Sequence, residues 1–129
     1  MEKTLTICGR DVTFKATGGL PYRYKSQFGR EYIQDMLMIE QSISGIKAPS
    51  KNSSKTAVEE YELKTAYTLT STAIEMMYNI LWCMAKTADD SIPDPQRWLD
   101  SFDAFPVFEI WPQLEDIISA NMEIAPKNA

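Results

Sequence analysis

From Ile74 to Ala85 only Glu75 and Asn79 interrupt a run of otherwise apolar side chains. A helix that is apolar around most of its circumference cannot lie on a surface and has to be enclosed by other elements. The run continues a longer pattern: Leu63, Ala66, Leu69, Ala73, Met76, Ile80 and Cys83 recur at three- and four-residue intervals. This periodicity predicts one long helix over 56–86 at the centre of the fold. Thr68, Thr70, Ser71 and Thr72 lower helix propensity locally, but the apolar period runs through them. The rest of the chain must therefore wrap this helix.

The flanking segments supply the wrapping. Residues 4–16 alternate, with Leu5, Ile7, Val12, Phe14 and Ala16 on one face and Thr4, Thr6, Thr13 and Lys15 on the other. Gly9, read as the first loop residue between the two runs, suits a type II′ hairpin. An isolated hairpin is marginal in water, so its apolar face needs a helical or sheet neighbour. Pro21 is placed to open a helix over 21–28, with Gly29 as a left-handed cap. A second helix is expected over 30–44, with Tyr32, Met36, Ile39 and Ile43 facing inward and Ile33 and Leu37 widening the stripe. Residues 45–57, rich in Ser, Lys and Asn, read as a mobile linker. Helices over 95–103, N-capped by Asp94, and 112–123, with Leu114, Ile117 and Ile118 facing inward, complete the set. The expected fold is mainly α. An N-terminal β-hairpin packs on a bundle of four to five helices, and the 129 residues form a single domain.

Between the last two helices, residues 101–112 hold Phe102, Phe105, Phe108 and Trp111 together with Pro106 and Pro112. Proline lacks a donor and clashes with the preceding turn, so each proline is expected to open a helix and the run to form a bent junction. Trp82 belongs to the core. Trp98, Phe105, Phe108 and Trp111 divide between finishing the core and forming an exposed apolar patch for a partner. Arg23 and Arg30, beside Tyr22 and Tyr24, extend that candidate docking face. Under this reading Trp111→Ala or Phe108→Ala weakens partner binding more than it lowers the melting temperature.

Catalysis finds little support. The chain has no histidine, which removes the commonest general base and metal ligand together. Cys8 and Cys83 have no metal-ligand spacing and are expected to be buried small hydrophobes. Asp89, Asp90 and Asp94 lack the further ligands and glycine of a calcium loop. Gly18-Gly19 is followed by Leu20-Pro21, not by the lysine of a phosphate loop. No metal or cofactor is expected. The helix pair over 21–44 could imitate a helix-turn-helix, but its second helix carries Glu31, Asp35 and Glu40 against Arg30. That is the wrong sign for a major groove.

Charge is unevenly spread. Residues 1–51 hold eight Lys and Arg against five Asp and Glu, and residues 52–129 hold five against thirteen. An acidic C-terminal half disfavours nucleic-acid binding and is compatible with head-to-tail self-association. No apolar run reaches the roughly 20 residues that span a bilayer. The start of the chain lacks a signal-peptide core, so a cytosolic protein is expected.

Two stretches together resemble a known family. Tyr22-Arg23-Tyr24-Lys25-Ser26-Gln27-Phe28-Gly29-Arg30-Glu31-Tyr32 is similar to the YR…FGRD region of the tail assembly chaperones of long-tailed phages and prophages of Gram-positive bacteria, with Glu31 where Asp is more usual. Phe105-Pro106-Val107-Phe108-Glu109-Ile110-Trp111-Pro112 resembles the late aromatic-proline segment of the same family. The order of elements also fits. The resemblance implies a non-enzymatic helper that coats the tape-measure protein in the host cytoplasm while tail-tube subunits polymerise around it. Its partners would be those two proteins and other copies of itself, with neither nucleic acid nor membrane, and it would be absent from the mature virion. Two other readings stand beside it: a structural tail or connector protein of the virion, and a small helical regulatory or binding domain.

Overall fold

The computed structural model describes residues 1–43, 54–60 and 71–122. The fold is mainly helical, with an N-terminal hairpin and one long central helix. Strands β1 (Glu2–Ile7) and β2 (Arg10–Lys15) pair antiparallel, Leu5 opposite Val12 and Ile7 opposite Arg10. That register leaves Cys8 and Gly9 as the two loop residues, with φ of 50° and 74°. Positive φ at both positions is the type I′ pattern, so the expected type II′ turn is corrected. The loop begins one residue earlier than expected, which puts glycine second. The outer face is polar: the Thr4 and Thr13 hydroxyls meet at 2.8 Å, and Thr6 donates to Asp11 at 2.7 Å. The inner face carries Ile7, Val12 and the fully buried Phe14 onto the helices.

Helix α1 (Leu20–Phe28) has Pro21 in its first turn and ends at Gly29, whose φ is 70° and whose N–H donates to the Lys25 carbonyl at 2.8 Å. Helix α2 spans Tyr32–Ile43. Residues 55–60 are helical. Ser54 Oγ accepts from the Ala57 N–H at 3.1 Å and caps this stretch. The last three residues of the expected linker are therefore helical; its residues 45–53 lie outside the described ones. Helix α3 (Ser71–Ala88) is the second part of the predicted long helix, and Leu63, Ala66 and Leu69 lie outside the described residues. Ile80 to Ala85 are all buried, and α3 touches β2, α1, α2 and the two helices that follow. Trp82 Nε1 donates to the Pro93 carbonyl at 2.7 Å, which fastens the next loop to it.

Helix α4 (Pro95–Asp100) is N-capped by Asp94, which accepts from the Arg97 N–H at 3.3 Å. It stops three residues short of expectation, its end tightening into three-residue turns in which the Ser101 and Phe102 N–H groups donate to the Trp98 and Leu99 carbonyls at 3.1 and 3.2 Å, with the Ser101 hydroxyl also on the Trp98 carbonyl. Helix α5 (Val107–Ile118) is followed by a 3₁₀ turn at Ala120–Met122. It starts after Pro106, not at Pro112 as expected. Pro112 sits inside it on the exposed side, where its missing donor leaves only the Phe108 carbonyl without the regular partner. Lys3 closes the structure by donating to the Gln113 carbonyl at 2.9 Å and to Asp116 at 3.2 Å.

One apolar cluster extends from Ile7 to Ile118. Of the two cysteines expected inside it, only Cys83 is buried; Cys8 is exposed in the hairpin loop. Burial pushes the Cys83 thiol up to about 12. A thiol reagent at neutral pH is therefore expected to modify Cys8 alone in the native protein, with Cys83 reacting only on global unfolding. Mass mapping of the label checks this; prompt modification of Cys83 would contradict it.

Candidate partner-binding surface

The segment that carries the first family resemblance is built around a buried carboxylate. Gly29 turns the chain between α1 and α2, and Arg30 then folds back onto Asp35. The Arg30 guanidinium donates from Nε to Oδ2 at 2.7 Å and from Nη2 to Oδ1 at 2.9 Å, a bidentate pair. Tyr24 Oη donates to the same Oδ2 at 2.6 Å. Asp35 is 1 % exposed, so it is no surface charge of the α2 helix. Its hydrogen bonds and charge raise the Arg30 pKa further. Burial, then the Asp35 hydrogen bond, pushes the Tyr24 phenol well above the ordinary tyrosine range. Arg30 is thus a structural partner of Asp35 that still presents 45 % of its side chain to solvent beside the candidate docking face. Arg23 is half-buried on α1 and retains a solvent-facing side, and Tyr22 beside it is exposed.

Nearby rings lock the same corner. Tyr24 meets Tyr32 edge-on at 5.8 Å, and Phe28 meets Trp82 at 5.8 Å. Tyr32 Oη donates to the Ile118 carbonyl at 2.6 Å, tying α2 to the end of α5.

The aromatic-proline run splits in a way that its composition alone did not decide. Trp98 and Trp111 are each 3 % exposed, so both are core. Trp98 lies 5.2 Å from Phe105, 5.3 Å from Phe102 and 6.4 Å from Phe14. The Arg10 guanidinium stacks 3.8 Å over the Phe102 ring and donates to Ser101 Oγ at 3.0 Å. Phe105 and Phe108 remain half-buried. Substitution of Trp111 is consequently expected to cost stability as well as any binding, because its ring is an internal support.

Among the described residues, α2 carries three exposed large apolar side chains. Ile33 and Leu37 are each 49 % exposed and Met38 is 40 % exposed, whereas Tyr32, Met36 and Ile39 on the opposite side are buried. The expectation that Ile33 and Leu37 widen the buried stripe is corrected: α3 covers only one side of α2. The signal was present in the sequence, since Tyr32, Ile33, Met36, Leu37, Met38 and Ile39 are more apolar residues than one face can bury. Next to this stripe a groove of about 490 Å³ opens between α2 and α5, floored by Met36, Trp111 and Ile118 and edged by Leu37, Glu40 and Glu115.

Desolvation, followed by the Glu40 charge, raises the Glu115 pKa above the usual carboxylate value. For an acid, a raised native pKa means that folding favours the protonated form. Stability is highest below the unfolded value of 4.5 and is lost as pH rises through the native one. Glu115→Gln is therefore expected to raise the melting temperature at neutral pH and to have no effect in acid. Thermal melts across that range test this, and an equal shift at both ends would remove the electrostatic cause.

Among the described residues no group of three or more His, Cys, Asp or Glu is placed to hold a metal ion, and no helix is long and apolar enough to cross a membrane. Comparison of the chain with protein-family models, with curated proteins and with solved structures finds no match.

Proposed function

We propose that this protein is a non-enzymatic phage tail assembly chaperone that binds the tape-measure protein in the host cytoplasm and assists polymerisation of the tail tube. The observation that carries the reading is the exposed ridge of Ile33 and Leu37 on α2, with Leu37 edging an apolar-floored groove. A protein that keeps a long helical client soluble needs such a surface, because helices are recognised by laying their apolar face into a complementary one. The resemblance of residues 22–32 and 105–112 to the chaperone family supplies the client's identity.

The test is co-expression with the tape-measure protein of the same genome. The expected result is soluble recovery of a complex that depends on this chain, and absence of the chain from purified virions. Its presence in virions would favour the structural reading, for which the hairpin is the relevant feature: among the described residues its sheet has only two strands, leaving edges that a neighbouring subunit could extend.

A further inference from the structure

The groove between α2 and α5 has an electrostatic feature that restricts what can fill it. Glu40 on α2 and Glu115 on α5 both edge it, and neither takes part in an ion pair among the described residues. In the open groove both side chains are exposed, although Glu115 is already partly desolvated and feels the Glu40 charge. Any occupant that covers the apolar floor displaces water and leaves two like charges facing each other in a less polar surrounding, which opposes binding unless the occupant brings a cation. Ile33, Leu37 and Glu40 follow one another at helical spacing along α2, so the ridge leading into the groove is about two turns long. A surface of that shape suits a second helix laid against it.

We propose that this groove receives a helical segment of a partner protein that carries a lysine or arginine among apolar residues at three- and four-residue spacing, its cation lying between Glu40 and Glu115. The inference rests on the reading of this protein as a binder of a helical client and gives that client's segment a chemistry. A second copy is a poor occupant, because a symmetric contact would bring the same two carboxylates against their equivalents. Anionic lipid and nucleic acid are disfavoured by the same charges.

The experiment is selection of random peptides of about 16 residues, long enough for about four helical turns, displayed on yeast against the full chain. The expected result is enrichment of sequences with a lysine or arginine flanked by apolar residues at helical spacing. Their binding should fall at least about tenfold in Leu37→Asp. The double variant Glu40→Lys/Glu115→Lys should select acidic peptides instead. All three substituted residues are exposed, and thermal melts establish that the variants fold. No enrichment, enrichment of cation-free peptides, or equal binding to Leu37→Asp would overturn the proposal. So would a solution structure of the free protein with the groove filled by its own chain. The two readings separate cleanly: tape-measure protein held equally by wild type and Leu37→Asp removes the groove and leaves the chaperone. Basic peptides held at the groove without any tape-measure association do the reverse.

Discussion

Asp35→Ala is expected to destabilise the protein by about 3 kcal/mol and to lower its melting temperature by about 12 °C. The carboxylate is 1 % exposed and accepts from Tyr24 and twice from Arg30. Removing it leaves the Tyr24 hydroxyl buried with no acceptor, and that stranded donor accounts for most of the loss. Arg30 is half in water and can be solvated again, so its share is smaller. The decisive comparison is with Tyr24→Phe, which deletes the hydroxyl and keeps the ring. It should cost about 1 kcal/mol. The double variant should then lose clearly less than the two single losses combined, because once the carboxylate is gone the hydroxyl is a liability. Urea titration of the three variants measures this. Asp35→Ala within about 0.5 kcal/mol of wild type would mean that the carboxylate does not anchor the α1–α2 corner.

Trp98→Ala is expected to cost about 4 kcal/mol, or about 15 °C of melting temperature. The indole is 3 % exposed and packs against the rings of Phe14 of the hairpin, Phe102 and Phe105. Its deletion opens a cavity that three aromatic neighbours cannot collapse into without leaving their own packing. The damage should be local as well as global. Amide exchange in β1 and β2 should accelerate more than exchange in α2, which rests on α3 from another side. Trp98→Phe keeps a ring at the contact and should cost less than half as much. Uniform acceleration along the chain would show that the hairpin and the bundle unfold only together.

Much of the architecture was legible. The apolar run from Ile74 to Ala85 required a central helix, and strict alternation around Cys8-Gly9 required a hairpin; both are present. Gly29 and Asp94 act as the helix caps that their positions suggested. What could not be read was how deeply each apolar residue sits. Periodicity shows that Ile33 and Leu37 lie near Met36 on the α2 wheel, but only the position of α3 decides which of them it covers. Asp35 was misplaced for the same reason: a carboxylate on a helix is ordinarily solvated, and its burial depends on Tyr24 and Arg30 meeting it across a turn. The aromatic run posed a third difficulty. Pro112 looked like a helix start, yet Pro106 had already set the helix going, and a proline on the exposed side of the second turn is tolerated.

The bond from Lys3 to Asp116 joins two residues separated by 113 positions, and the bond from Tyr32 to Ile118 spans 86. At a ribosomal speed of about 5–20 residues per second, the N-terminal strands emerge roughly 6 to 20 s before the helix they are fastened to. For most of that interval the hairpin lacks α3 beneath it, and for all of it α5 beside it. The nascent chain must wait with Phe14, Val12 and Ile7 uncovered until α3 follows, and α5 then acts as the latch. Slower translation between β2 and the end of α3 would lengthen this exposed wait, so yield during expression should depend on codon choice there more than on codon choice within the hairpin.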